Sequence, residues 1–188
     1  MPNIIYDQLK KLIEGTNNKE LECREYLKHA KELLVKDTPI EFIDIQNERP
    51  LNLGRSDYII LAKVWHSGEK CRRAFLWELK APQCFIFVKD TENRLKPSDD
   101  FIDAENKLLN YYHEIKTGGI LREQYEISNT ADICLGGIII GCENRKVGGE
   151  LSQERKIQLY HTARAVKNYL YGDQIKLKTW DEILDHLK

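Results

Sequence analysis

Glu78 and Lys80, in the run Trp77-Glu78-Leu79-Lys80, are the residues of this chain best placed to do chemistry. Positions 78 and 80 of an extended strand point to the same side of a sheet, so a carboxylate and an ammonium would face one site. Asp57 lies in an earlier apolar run, Ser56-Asp57-Tyr58-Ile59-Ile60-Leu61. If the two runs pair as neighbouring strands, a second carboxylate joins the first. Two carboxylates make a site for a hard cation, and Mg²⁺ takes oxygen ligands while keeping several waters. A nearby ammonium orients an attacking water and stabilises the charge of a phosphoryl transition state. The pattern therefore suits metal-assisted hydrolysis of a phosphodiester.

An acid two residues before a lysine arises often by chance in a chain that is 31% charged. The setting argues for more than a surface ion pair. Ala74, Phe75, Leu76 and Trp77 precede Glu78, and Cys84-Phe85-Ile86-Phe87-Val88 follows. Charges that interrupt an apolar run are buried, and buried charges need a partner or a metal.

The 188 residues suffice for one domain with its own core, and an apolar content of 41% with three Trp and nine Tyr fits a folded globular chain. The formal net charge of −1 gives no global attraction to nucleic acid, so a nucleic-acid contact must come from a local patch. Arg72, Arg73, Arg145 and Lys146 are candidates for it. Cysteines stand at 23, 71, 84, 134 and 142 without a CxxC pair, which reads as reduced thiols in a cytoplasmic protein rather than a disulfide frame or zinc site. No apolar run approaches the roughly 18 residues of a membrane span. The start, Met-Pro-Asn-Ile-Ile-Tyr-Asp, lacks the features of a signal peptide.

Hydrophobic periodicity supplies the elements that must position these groups. Ile5, Leu9, Leu12 and Ile13 predict a helix ending at Gly15. Asn17 and Glu20 suggest a capping box opening a second helix, whose stripe runs Cys23, Tyr26, Leu27, Ala30, Leu33 and Leu34 and stops by Pro39. Strands are expected over 40–46, 56–65 and about 72–79. Asn47-Glu48-Arg49-Pro50 breaks the first, and His66-Ser67-Gly68-Glu69 is a hairpin turn between the others. Residues 84–89 suit a short strand and 90–99 a loop. Phe101, Ala104, Leu108, Tyr112 and Ile115 mark a helix closed by Gly118-Gly119. Residues 132–142 suit a strand covered on both faces. Gly148-Gly149 reads as a loop, Leu159 to Leu170 as a helix, and 175–178 as a strand. Thr179 and Glu182 cap a last short helix. The order predicts an α/β fold with helices around a mixed sheet.

That order, with Asp57 and Glu78-x-Lys80 on successive strands, resembles the PD-(D/E)xK nuclease superfamily. The run from 56 to 188 looks like the nuclease domain of the Shedu family of prokaryotic antiphage defence proteins. The likeness is carried by Arg55-Ser56-Asp57, Trp77-Glu78-Leu79-Lys80-Ala81-Pro82, the helix Ala104 to Tyr111, Gly137-Ile138-Ile139-Ile140-Gly141 and Lys178-Thr179-Trp180-Asp181-Glu182-Ile183-Leu184. Glu20 through Leu27 resembles the family's opening Glu-containing helix.

The resemblance implies a single nuclease-like domain over 1–188 with a restriction-endonuclease-like mixed sheet flanked by helices, residues 1–15 forming an appended helix. It implies a Mg²⁺-dependent DNA endonuclease, with Mn²⁺ as a substitute, that forms homo-oligomers and has no membrane partner. Asp57 and Glu78 would hold the metal with the Leu79 backbone carbonyl, and Glu20 or Glu22 would complete the shell. Lys80 would position or deprotonate water. Lys107 and Tyr111 would touch nucleic acid, together with Arg72 and Arg73. Lys107 stands where the superfamily often has Gln, four residues before Tyr111. The chain is also short for the family, with little room for the N-terminal region that many Shedu proteins carry. The competing expectation is a nucleic-acid-binding or scaffold protein with a nuclease fold and little catalysis. An unrelated small-molecule hydrolase lacks support, since there is no G-x-S-x-G and no Cys–His pairing signal.

Overall fold

Continuous apolar runs over 58–62 and 74–77 build the two central strands, buried on both faces. The structure, a computed structural model, describes residues 4–51, 54–118, 122–123, 126–127, 129–172 and 174–188; of 44–51 and 54–57 it describes the backbone only. β2 (Gly54–His66) and β3 (Glu69–Leu79) pair antiparallel, from Tyr58 opposite Trp77 to His66 opposite Glu69. The connecting turn holds Ser67 at φ 51° and Gly68 at φ 85°, the left-handed pair that matches strand twist in a two-residue hairpin.

β1 (Thr38–Leu51) pairs antiparallel with β2 and lies at the edge of the sheet. It runs through 47–50, where the sequence suggested a break. Proline cannot donate to a ladder, but Pro50 sits on an edge strand, where one side of the backbone needs no partner strand. β6 (Ile133–Ile139) and β8 (Lys176–Lys178) complete the sheet in the order β1-β2-β3-β6-β8, with β6 parallel to β3 and β8 parallel to β6. Parallel neighbours require crossovers. α3 (Asp99–Thr117) lies between β3 and β6 in the chain, and α4 (Gln153–Tyr171) between β6 and β8.

Both faces are covered. Ile59, Leu61, Ala74 and Leu76 pack with Phe101, Ala104, Leu108, Tyr111 and Ile115 of α3. The opposite face packs Ile60, Phe75, Trp77 and Leu79 against α1 (Ile4–Glu14), α2 (Glu20–Arg24) and α5 (Trp180–His186). The result is a mixed α/β fold, a mixed sheet flanked by helices. No described helix is long and apolar enough to cross a membrane.

The expected second helix is shorter than its stripe. α2 has five residues, and 3₁₀ turns at Leu27–His29 and Lys31–Leu34 continue it. Cys23, Leu27, Ala30 and Leu34 stay buried, because steps of three and four residues suit both helix types. The Asn17 capping box does not form: Lys19 is the N-cap, and the Asn18 side chain accepts from the Glu20 N–H at 3.1 Å. Residues 90–99 are not a loop. β4 (Phe87–Thr91) and β5 (Arg94–Pro97) form a hairpin, and β7 (Val147–Gly148) pairs parallel with β4 in a separate three-stranded sheet. The Thr179–Glu182 capping box is present, with Thr179 N–H donating to Glu182 Oε2 at 2.6 Å. Gly118 caps α3; Gly119 lies outside the described residues.

A local irregularity positions the end of β3. Leu76 pairs with Leu135, but Trp77 pairs with Gly137, so Gly136 is an extra residue. A Cβ at Gly136 would lie 2.2 Å from Trp77 Nε1, and one at Gly137 would lie 2.0 Å from the Lys176 carbonyl oxygen. Only glycine leaves room here for the indole, whose N–H donates to the Leu34 carbonyl at 2.9 Å.

Candidate active site at the end of β3

Strand alternation places Glu78 on the face of Ala74 and Leu76, toward α3. Glu78 is 0% exposed. It is paired with Ile138 of β6 through the backbone. The ladder continues one step past the strand, since Lys80 N–H donates to the Ile139 carbonyl at 2.9 Å. Trp180 Nε1 donates to the Lys80 carbonyl at 2.7 Å and fixes this backbone from α5.

Glu78 and Lys80 meet α3 together. Lys80 Nζ donates to Asp103 Oδ2 at 2.5 Å. Lys107 Nζ is 3.1 Å from the same Asp103 oxygen and 4.0 Å from Glu78 Oε1. Two carboxylates and two ammoniums thus form one cluster. The Lys80 side chain is 12% exposed, those of Lys107 and Asp103 43% and 50%. The Lys80 hydrogen bond holds the Asp103 carboxyl below its ordinary value, with a smaller opposing effect from burial and further help from Lys107. Burial opposes the charge on Lys107, but the Asp103 hydrogen bond and the charges of Glu78 and Asp103 outweigh it and raise its pKa.

Asp57 lies one residue before Tyr58, which faces Trp77, so along β2 it stands at the same end of the sheet as Glu78. Its side chain is outside the described residues. Glu20 and Glu22 are separated by their surroundings. Gln83, three residues after Lys80, ties the loop to the α1–α2 junction. It accepts from Lys19 N–H at 3.2 Å and donates to the carbonyls of Leu12 and Gly15, each at 3.0 Å. Glu20 opens α2 beside this tie. Burial pushes the Cys84 thiol up to about 12, and the charges of Asp100 and Glu20 add to it. Glu22 is exposed and accepts from Lys19 Nζ at 2.7 Å.

The remaining candidates sit elsewhere. Arg73 lies five residues back along β3, about 16 Å from Glu78 at about 3.3 Å per residue. It is held by Asp37 at 2.6 Å, by the Ala131 carbonyl at 3.2 Å and beside His66 Nδ1 at 3.0 Å. Arg72 pairs with Glu126. Tyr111 is 6% exposed and belongs to the core under α3. Asp103 was missed by the sequence reading. Its position one turn before Lys107, an i, i+4 opposite-charge pair on a helix, is the signal that could have found it.

The carboxylate oxygens of Glu78 and Asp103 are of the kind a hard cation takes, and a fully buried carboxylate draws positive charge, as the Lys107 ammonium already illustrates. Among the described residues no group of three or more His, Cys, Asp or Glu is gathered to hold a metal ion. No curated protein matches the chain. Residues 17–184 match the model of a family described as Shedu protein SduA, C-terminal.

Proposed function

The chain belongs to the Shedu family, which gives it a role in antiphage defence, and from that premise we propose that it is a metal-dependent endonuclease that hydrolyses DNA phosphodiester bonds. The observation that carries this reading is Glu78, fully buried at the end of β3 with the Lys80 and Lys107 ammoniums on the same side of the sheet. The antiparallel β1-β2-β3 unit, the crossover through α3 and the parallel β6 support a PD-(D/E)xK nuclease, restriction-endonuclease-like core.

In this reading Asp57 and Glu78, with the Leu79 carbonyl, hold Mg²⁺ or Mn²⁺. Glu20 is better placed than Glu22 to join them, because Gln83 holds the start of α2 against the loop after Lys80. A bound divalent ion supplies Lewis-acid polarisation of the phosphate and acidifies water. Lys80 orients the attacking water, its ammonium fixed by Asp103. Lys107, at the exposed lip of the site, contacts phosphate. Arg72 and Arg73, engaged at the far end of β3, and Tyr111, in the core, are left out of the DNA contact. DNA and further copies of this chain are the partners, and the cytoplasm is the compartment.

The experiment is a nuclease assay on single- and double-stranded DNA and on RNA, with Mg²⁺, with Mn²⁺ and with chelator. Metal-dependent cutting of DNA that is lost in Lys80→Ala is the expected result. DNA binding without cleavage under either metal would replace the endonuclease with a nucleic-acid-binding or scaffold protein of nuclease fold.

A further inference from the structure

A buried carboxylate needs positive charge beside it. At Glu78 part of that charge comes from Lys107, 4.0 Å away on α3. Lys107 is shared with Asp103 at 3.1 Å, and Asp103 also holds Lys80. The two ammoniums differ in freedom. Lys80 is 12% exposed and anchored by its backbone on both sides, whereas Lys107 is 43% exposed on the outer part of a helix. A divalent ion arriving at the Glu78 carboxylate would meet the Lys107 ammonium within a few ångströms, and like charges at that separation repel strongly where water is scarce. Lys107 has somewhere to go. Asp103 lies one helical turn away and is half-exposed, so the lysine can leave Glu78 while keeping a carboxylate partner.

We propose that Lys107 is a displaceable counter-cation of Glu78: it and the metal exclude one another at that carboxylate, and a nucleic-acid phosphate that draws Lys107 outward tightens metal binding. The proposal rests on Glu78 being a metal ligand. Its consequence is reciprocal coupling, because any ligand that favours the swung-out lysine raises the affinity of the other by the same factor. The chain would load its metal most readily when a phosphodiester backbone is already at the lip of the site. A lysine suits this exchange, since it is a compact charge on a long rotatable stem rather than a fixed planar fork.

The test is Mg²⁺ binding by titration calorimetry to the parent, Lys107→Gln and Lys107→Arg, with thermal unfolding confirming that each is folded. Lys107→Gln is expected to bind Mg²⁺ about tenfold more tightly, the scale of a charge contact discounted for its partial exposure. Lys107→Arg keeps the charge and stays near the parent. A short DNA duplex with a non-hydrolysable backbone is expected to tighten Mg²⁺ binding in the parent and not in Lys107→Gln. Equal or weaker Mg²⁺ affinity in Lys107→Gln, with normal binding by the parent, overturns the exchange and leaves the metal site standing. Failure of every form to bind Mg²⁺ overturns the metal site itself and the exchange with it.

Discussion

Asp103 accepts a hydrogen bond from Lys80 at 2.5 Å although 23 positions separate them and they belong to different elements. The contact fastens the end of β3 to α3, and it sets a pH dependence. The folded Asp103 pKa is depressed, first by Lys80, so its stabilising contribution is complete above the unfolded carboxyl value of about 3.9. That contribution is lost as pH falls through the lower, folded value. Melting curves from pH 5 to pH 2.5 should therefore fall more steeply for the parent than for Asp103→Asn. Parallel curves would show that the pair adds nothing to the pH response.

Loss of single groups at the site should separate binding from chemistry. Lys80→Ala should lower the cleavage rate by roughly 10²–10³ while Mg²⁺ affinity stays close to the parent, because an ammonium is no metal ligand. Asp57→Asn and Glu78→Gln should lose both cleavage and metal binding. Parallel kinetics and calorimetry read the two effects apart. Undiminished cleavage in all three variants would mean that the site lies elsewhere.

The two early glutamates should behave differently. Glu20→Ala should raise the Mg²⁺ concentration needed for half-maximal cleavage, whereas Glu22→Ala, which removes an exposed partner of Lys19, should leave it unchanged. Equal shifts in both would assign the effect to the general charge of α2 rather than to one carboxylate.

Gly136 is the residue least open to change. A methyl group there would press on an indole already fixed by its hydrogen bond to Leu34. Overpacking of this kind costs about 1–3 kcal/mol, and Gly136→Ala should show it as a lower denaturation midpoint in urea. Trp77→Phe makes the space but leaves the buried Leu34 carbonyl without this donor, at a cost of about 1–3 kcal/mol. A midpoint unchanged in Gly136→Ala would mean that the bulge can shift without penalty.

Assembly is the remaining expectation. Light scattering at micromolar concentration should give a dimer or a larger oligomer. A monomer mass across that range would contradict it.

The sequence made the long apolar periodicities legible. Phe101, Ala104, Leu108 and Ile115, the Ser67-Gly68 turn and the Thr179–Glu182 cap appear as read, because each is encoded by residues close in the chain; Tyr112, read as part of the same stripe, is only half-buried, and Tyr111 takes the core position. Glu78 was legible for a different reason, since a charge inside an apolar run has few uses. The β4–β5 hairpin was hidden because its exposed residues alternate weakly, with Leu95 packing on the core from one side only. Asp103 was hidden because its importance comes from Lys80, a residue brought near by the crossover rather than by sequence spacing. Lys107 was read as a phosphate contact; its closeness to Glu78 needed the register of β3 against α3.

The two margins of the main sheet carry a lesson about company. Among the described residues β8 closes one margin with three residues, two of them lysines, and β1 closes the other with prolines at 39 and 50. A three-residue margin with two lysines offers a further strand little to pair with, and each proline removes a backbone donor from the other margin. Ribbon-like stacking of copies through β8 is therefore disfavoured in a crowded cell, and along β1 it is interrupted wherever a proline stands.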